Sequence, residues 1–222
     1  MKKPEWVCFF IMSFDEKLHY FYLYLKHHIE TNYHLRVVRA DEQVLTKSML
    51  DKISDMIKEA EVIIADCSDF RPNVLYELGI AHALNKKVIL LSHGNPDQAP
   101  SDIRHFEFIF YKLDKHTEFL SKLDNALHNA LFEYYAPLHD KAQKVCNEFQ
   151  HATGHVVKMA SKEVFISRIM HAEKTQEIPD LSDEPAIYEF VLPQIIEHTN
   201  DFPTIRQIAK WLSETIWIVD TE

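Results

Sequence analysis

Glycine is the scarcest informative residue in this 222-residue chain, which has only three. Gly79, Gly94 and Gly154 lie so far apart that neither a Gly-x-Gly-x-x-Gly fingerprint nor a phosphate loop ending in Gly-Lys-Ser/Thr can be written. Kinase, NTPase and Rossmann dehydrogenase readings fail on that ground. Cysteine is as rare: Cys8, Cys67 and Cys146 form an odd set without tandem spacing. The N-terminal stretch MKKPEWVCFFIMSFDE has too short an apolar run, and no small-residue cleavage site, for export. A reducing, cytoplasmic setting is therefore expected. Long hydrophobic runs are missing too: no uncharged apolar stretch approaches the roughly 18 residues that span a bilayer, so no membrane role is expected. Basic residues are outnumbered, 24 Lys and Arg against 34 Asp and Glu, for a formal charge of −10. That surplus repels phosphodiester backbones, and no nucleic-acid partner is expected.

What remains is an ordinary globular composition, 46% hydrophobic and 26% charged. Its order along the chain is informative. WVCFFIM (6–12) is a short continuous apolar run, as in a strand buried on both faces. The next segment places Leu18, Phe21, Leu25 and Ile29 at helical spacing, and Ser13 with Glu16 fits a capping box at its start. LRVVRA (35–40) reads as a second strand. Met49, Ile53, Met56 and Ile57 then mark a second helix, followed by the strand EVIIAD (61–66). After a third helix come KVILLS (87–92) and FEFIFY (106–111), then a helix near 116–135 carrying Phe119, Leu123, Leu127 and Leu131. Such alternation predicts a parallel sheet with helices on both faces. Five strands suit the flavodoxin-like order 2-1-3-4-5, whose crevice opens at the carboxyl ends of strands 1 and 3.

Pro137 interrupts this pattern. Beyond it, helix-like stretches near 138–151, 155–175, 185–198 and 203–216 predict a small all-helical domain over 137–222, after an α/β domain over 1–136. DFPTIRQIAKWLSE resembles half of a helix-turn-helix, but acids outnumber bases after residue 136 by 14 to 8. A packing or oligomerisation helix pair is the expected role.

The chemistry concentrates in ADCSDFRPNVLYELGIAHAL (65–84). Pro72 suits a first helical turn. Asn73 and Glu77 then share one face, while Gly79 and Ala83 offer a smooth side for close approach to the sheet. A carboxylate among apolar neighbours has its pKa raised, a common preparation for acid, base or nucleophilic work. Asp66, at the end of strand 3, is placed to face Glu77, and two carboxylates flanking a glycosidic bond are what glycosyl cleavage uses. Spacing alone leaves plainer roles open: Glu77 as a solvated residue or a partner of Lys86 or Lys87, and Asp66 as a turn or cap residue. Cys67 beside His82 raises the idea of a thiol nucleophile, though a small buried residue is the simpler reading. Cys146, His151 and His155 lack a fourth ligand at suitable spacing, and no metal is expected.

The segments CFFIMSFDE, VVRADE, VIIADCSDFRPNVLYELGIAHALNKKVILLS and FIFY, in this order, resemble a family of flavodoxin-like domains related to the nucleoside 2-deoxyribosyltransferases and to Toll/interleukin-1 receptor (TIR)-like domains. The likeness covers residues 5 to about 135. Its most specific element is the run Asp-x-Ser-x-x-x-Pro-Asn-Val-x-Tyr-Glu-Leu-Gly, residues 66–79. The resemblance implies that Glu77 is the catalytic carboxylate and that Asp66 assists at the base or the sugar. It also implies that Ser13, Phe14, Ser68 and Asn73 line the substrate pocket. Arg71 stands where the relatives commonly have Asn, and its guanidinium suits a phosphate.

The resulting expectation is N-glycosidic bond cleavage or transfer on a nucleoside or nucleotide, by a deoxyribosyltransferase, a nucleotide N-hydrolase or an NAD glycohydrolase. No cofactor is expected, and NAD enters only as a substrate. A nucleotide-sensing module signalling through the helical domain is the alternative. The resemblance also implies self-association into a homo-oligomer.

Overall fold

In the computed structural model, which describes residues 6–33, 35–42, 49–94, 99–112, 116–154, 158–175, 191–192 and 196–197, strand and helix alternate as the apolar pattern predicts. Strand β1 is Val7–Ile11, α1 Glu16–Tyr33, β2 Arg36–Arg39, α2 Met49–Glu59 and β3 Val62–Asp66. Helix α3 is Pro72–Ala83, β4 Lys87–Ser92, β5 Phe108–Phe110 and α4 His116–Thr153. The five strands are parallel, in the order β2-β1-β3-β4-β5. This is the flavodoxin-like arrangement.

Every residue of β1 and of β3 is buried, so both sheet faces need cover. Alternation divides the work. Val7, Phe9 and Ile11 of β1, with Ile63 and Ala65 of β3, share a core with Ile53, Met56 and Ile57 of α2 and with Val74, Leu78 and Ala81 of α3. On the opposite face Phe10 meets Tyr22 of α1 edge-on at 5.3 Å. Helix α4 joins α1 there, with Phe119 5.7 Å from Phe21 and Asp124 Oδ1 2.7 Å from His28 Nε2.

The chain divides into two units, Met1–Ala130 and Leu131–Glu222. The division falls inside α4, because Pro137 does not end that helix. An interior proline costs about 3 kcal/mol through the lost N–H and its ring clash. Burial of Tyr135, Ala142, Val145, Cys146 and Phe149 around it offsets that cost. In the second unit Lys162–Thr175 forms α5, whose Phe165 ring packs edge-on against Phe132 at 5.8 Å. A short antiparallel pair, β6 (Lys158–Met159) with β7 (Ile196–Glu197), is a feature that the all-helical expectation lacks. Two-residue strands carry no periodicity to read. The helix-turn-helix-like segment, His155 and most of the stretch 185–216 lie outside the described residues.

Two local expectations are corrected. Gly79 and Ala83 are exposed, with nothing within 4 Å of the position a Cβ would take at Gly79. Helix α3 approaches the sheet through Val74, Leu78 and Ala81 instead, the i, i+4, i+7 row that buries most apolar area. Nor does Ser13 cap α1. Asp15 does, its Oδ1 accepting the Lys17 N–H at 3.0 Å and its carbonyl the Leu18 N–H at 3.0 Å. A carboxylate one residue before the helix reaches the free amides and also neutralises the positive helix end. Asp15→Ala is expected to cost about 1 kcal/mol in urea denaturation, and Ser13→Ala less than about 0.5 kcal/mol.

Candidate active site

Capping by Asp15 leaves the short turn after β1 with Ser13 and Phe14 turned elsewhere. The Phe14 ring is 52% exposed and is braced from behind by Arg39, whose guanidinium carbon lies 5.5 Å from the ring centroid. Arg39 itself is buried, forked onto Asp41 by two bonds of 2.7 Å and lying 4.3 Å from the Tyr22 ring centre. After β3 the chain turns tightly, the Phe70 N–H donating to the Cys67 carbonyl at 3.0 Å. Phe70 adopts φ 45°, a strained value for a bulky residue, of order 1–3 kcal/mol. Arg71 is extended at φ −62° and ψ 137°, as a residue before proline must be, and Pro72 opens α3.

These turns enclose a cavity of about 600 Å³ at the carboxyl ends of β1 and β3. Ser13, Phe14, Arg71, Asn73 and Glu77 all line it. Asn73 and Glu77 are four residues apart on α3, so both reach the same wall. Met12, Leu50, Ile53 and Val74 supply apolar surface, and Asp15, Pro72 and Tyr76 complete the lining. Burial raises the Glu77 carboxyl from about 4.5 to about 7. Among the described residues it has no ion pair or hydrogen bond, and Lys86 is spent on the carbonyls of Lys58 and Ala60. Arg71 is held at the rim by Asp69, 3.2 Å away, and by Asp15, 3.4 Å away.

Asp66 and Ser68 are not in that lining. Both are buried beside it, in a hydrogen-bonded cluster at the end of the sheet. Asp66 Oδ1 accepts from the Ser68 amide at 3.0 Å and from the Ser68 hydroxyl, while Oδ2 accepts from the Tyr111 hydroxyl at 2.7 Å. Ser68 Oγ in turn accepts the His93 N–H at 3.0 Å. Burial and the adjoining Asp66 carboxylate push the Tyr111 phenol well above its ordinary value, keeping it a donor. Tyr111 also stacks on Phe21, 4.3 Å between centres. The cluster ties together the ends of β3, β4 and β5. Asp66 thus positions the loop that leads to Arg71 and Glu77.

The thiol idea receives no support from the geometry. Cys67 is fully buried in the core, its thiol pushed up to about 12 by burial and by Asp66, while His82 lies against Phe106 at 4.7 Å. Cys8 and Cys146 are also free and buried. Among the described residues no three His, Cys, Asp or Glu side chains gather as around a metal ion, and no helix is long and apolar enough to cross a membrane.

Sequence reasoning did not place Tyr76, Leu50 or Tyr111 in these constellations. Tyr76 adjoins Glu77 and is 59% exposed, with no periodic signal. Leu50 and Tyr111 come from elements distant in the chain, and the polar tip closing the strand FIFY was the only hint of the latter.

No family model and no curated protein matches the chain. Among solved structures the chain is similar to the 2-desoxiribosyltransferase from Leishmania mexicana, at 22% identity and a TM-score of 0.34. The likeness covers 39% of this chain and 64% of that one, so this chain spans under two thirds of its neighbour. A likeness that faint adds nothing to the site geometry.

Two measurements test this architecture. Tyr111→Phe strips a donor from a buried carboxylate and is expected to cost about 1.5–3 kcal/mol in urea denaturation. Between pH 4.5 and 7 folded Glu77 keeps a proton that the unfolded chain releases, so stability falls as pH rises through that window. Glu77→Gln removes this loss. Relative to the native chain, the variant should gain about 1–2 kcal/mol on going from pH 4 to pH 8, allowing for partial solvent screening.

Proposed function

We propose that this chain breaks or transfers the N-glycosidic bond of a nucleoside or nucleotide in the cavity beside Glu77. The observation that carries the reading is a half-buried carboxyl, raised to about 7, without an ion pair or hydrogen bond among the described residues and facing a nucleotide-sized hollow. A desolvated anion gains most when positive charge develops next to it. An anomeric carbon losing its base supplies that charge, so the interaction is stronger in the transition state than in the ground state. The motif of residues 66–79 supports the same assignment through its resemblance to the deoxyribosyltransferases and TIR-like domains.

In this mechanism ionised Glu77 approaches the anomeric carbon as the carbon–nitrogen bond breaks, and both bonding electrons leave with the base. Water or a second base then forms the new bond to that carbon and gives up a proton, which the departed base or solvent takes, and Glu77 is left ionised as it began. Ser13, Asn73 and Arg71 orient the sugar or a phosphate, while the open faces of Phe14 and Tyr76 offer apolar surface to the base. Asp66 acts at one remove, by fixing the loop. Helix α4, which runs from the α/β unit into the second unit, favours a second reading in which the cavity binds a nucleotide without turnover and serves as a sensor.

Incubation of the full chain with NAD, deoxynucleosides or deoxynucleoside monophosphates, with chromatography for free base, separates the two. One substrate class should release base, the rate falling as pH drops through about 7, and Glu77→Gln should lower it by about 10² or more. Ligand-dependent thermal stabilisation without release would establish the sensor instead. Release unaffected by Glu77→Gln would overturn the assignment of Glu77.

A further inference from the structure

A second cavity, of about 410 Å³, opens at the carboxyl ends of β4 and β5, beside the start of α4. It shares no lining residue with the Glu77 cavity. The cluster formed by Asp66, Ser68 and Tyr111 adjoins it, for Tyr111 is both a member of that cluster and part of this wall.

Its chemistry differs from that of the chain as a whole. In a molecule of formal charge −10, three of its lining side chains are the basic or titratable groups His93, Lys112 and Lys122, against one acid, Glu118. Glu118 neutralises one of them, accepting from Lys122 at 2.9 Å. Lys112 is exposed and has no ion pair among the described residues. The remaining wall is aromatic: Phe119 is buried, and Phe110 is left 42% exposed. A ring left half open beside a cation suits a ligand that is apolar at one end and negative at the other.

The wall is also built in advance. The His93 N–H is bonded to Ser68 Oγ and the Gly94 N–H to Ser92 Oγ, each at 3.0 Å. The Tyr111 N–H donates to the Ser92 carbonyl at 3.0 Å. A Cβ at Gly94 would come within 2.7 Å of the Ser68 carbonyl oxygen, so only glycine lets this turn close against the β3 loop. These bonds consume the amides of His93, Gly94 and Tyr111. An anion is therefore held by side chains: Lys112 has no ion pair among the described residues, and Lys122 turns to the anion from its exposed pair with Glu118. A wall fixed before binding loses little conformational freedom when it is filled.

We propose that this cavity is a second binding site, for a small molecule carrying one anionic group on a flat apolar body. The anion meets Lys112 and Lys122, and the apolar part lies on Phe110 and Phe119. Phosphate and carboxylate share this chemistry.

Calorimetric titration of the full chain with phenyl phosphate, benzoate, phenol and inorganic phosphate tests the assignment. Phenyl phosphate, benzoate or both should saturate at one equivalent, more weakly at raised salt, and whichever binds tighter names the anion. Lys112→Ala and Lys122→Ala should each weaken binding about tenfold, as loss of a charge-assisted bond does, and Phe110→Ala should weaken it as well. Arg71→Ala and Glu77→Gln should leave it unchanged. The proposal is overturned if neither aromatic anion saturates, if phenol or inorganic phosphate binds as tightly as the aromatic anions, or if both lysine variants bind normally. Loss in Arg71→Ala alone would overturn it too, by moving the ligand to the Glu77 cavity. Thermal melts check that each variant is folded; Lys112, Lys122, Phe110 and Arg71 are exposed, and Glu77→Gln keeps the shape of a half-buried side chain.

Discussion

The carboxylate of Asp66 sits where β3 runs out, and both of its oxygens are taken. The rest of the working surface depends on that arrangement. β3 lies in the middle of the sheet with every residue buried, so its end must turn out of a layer that admits no water. The turn is made safe by internal bonds: Ser68 folds back on Asp66, Tyr111 reaches in from beyond β5, and the loop after β4 hangs from Ser68. A buried polar cluster with its partners in place is rigid, and a rigid loop can hold Phe70 in a strained backbone state. From Phe70 the chain passes directly to Arg71, Pro72 and the wall that carries Glu77.

The two carboxylates thereby acquire different roles. Asp66 is buried, and both of its oxygens accept hydrogen bonds from Ser68 and Tyr111 before any ligand arrives. Glu77 is half-buried without such compensation, and its raised pKa reflects that deficit. Near neutral pH it lies close to its own midpoint, where a modest change in local charge shifts its protonation. Asp15 shows a third outcome. It also lines the cavity, but it is committed to the α1 terminus and to Arg71.

Much of the α/β unit was legible in the residues. Strand order followed from continuous apolar runs alternating with helical stripes, and the shared wall of Asn73 and Glu77 followed from their four-residue spacing. Where reading from local pattern failed, a competing contact won. The Ser13–Glu16 spacing fits a capping box, yet Asp15 stands two residues nearer the helix and its carboxylate takes the Lys17 N–H. Gly79 and Ala83 suggest close packing, yet Val74, Leu78 and Ala81 bury more. Pro137 reads as a break, yet α4 buries apolar residues on both sides of it.

The sequence by itself determined the elements, their order and the helix face that presents Glu77, because periodicity and turn chemistry act over a few residues. Only the tertiary structure decided which acids already have partners. Asp66 is bound by Tyr111, 45 residues away, and Arg71 by Asp15, 56 residues away. Pairings at that separation are set by how the strands stack, and no local pattern records them. The basic second cavity has the same origin: His93, Lys112 and Lys122 meet only because adjacent parallel strands and the start of α4 end at one edge of the sheet.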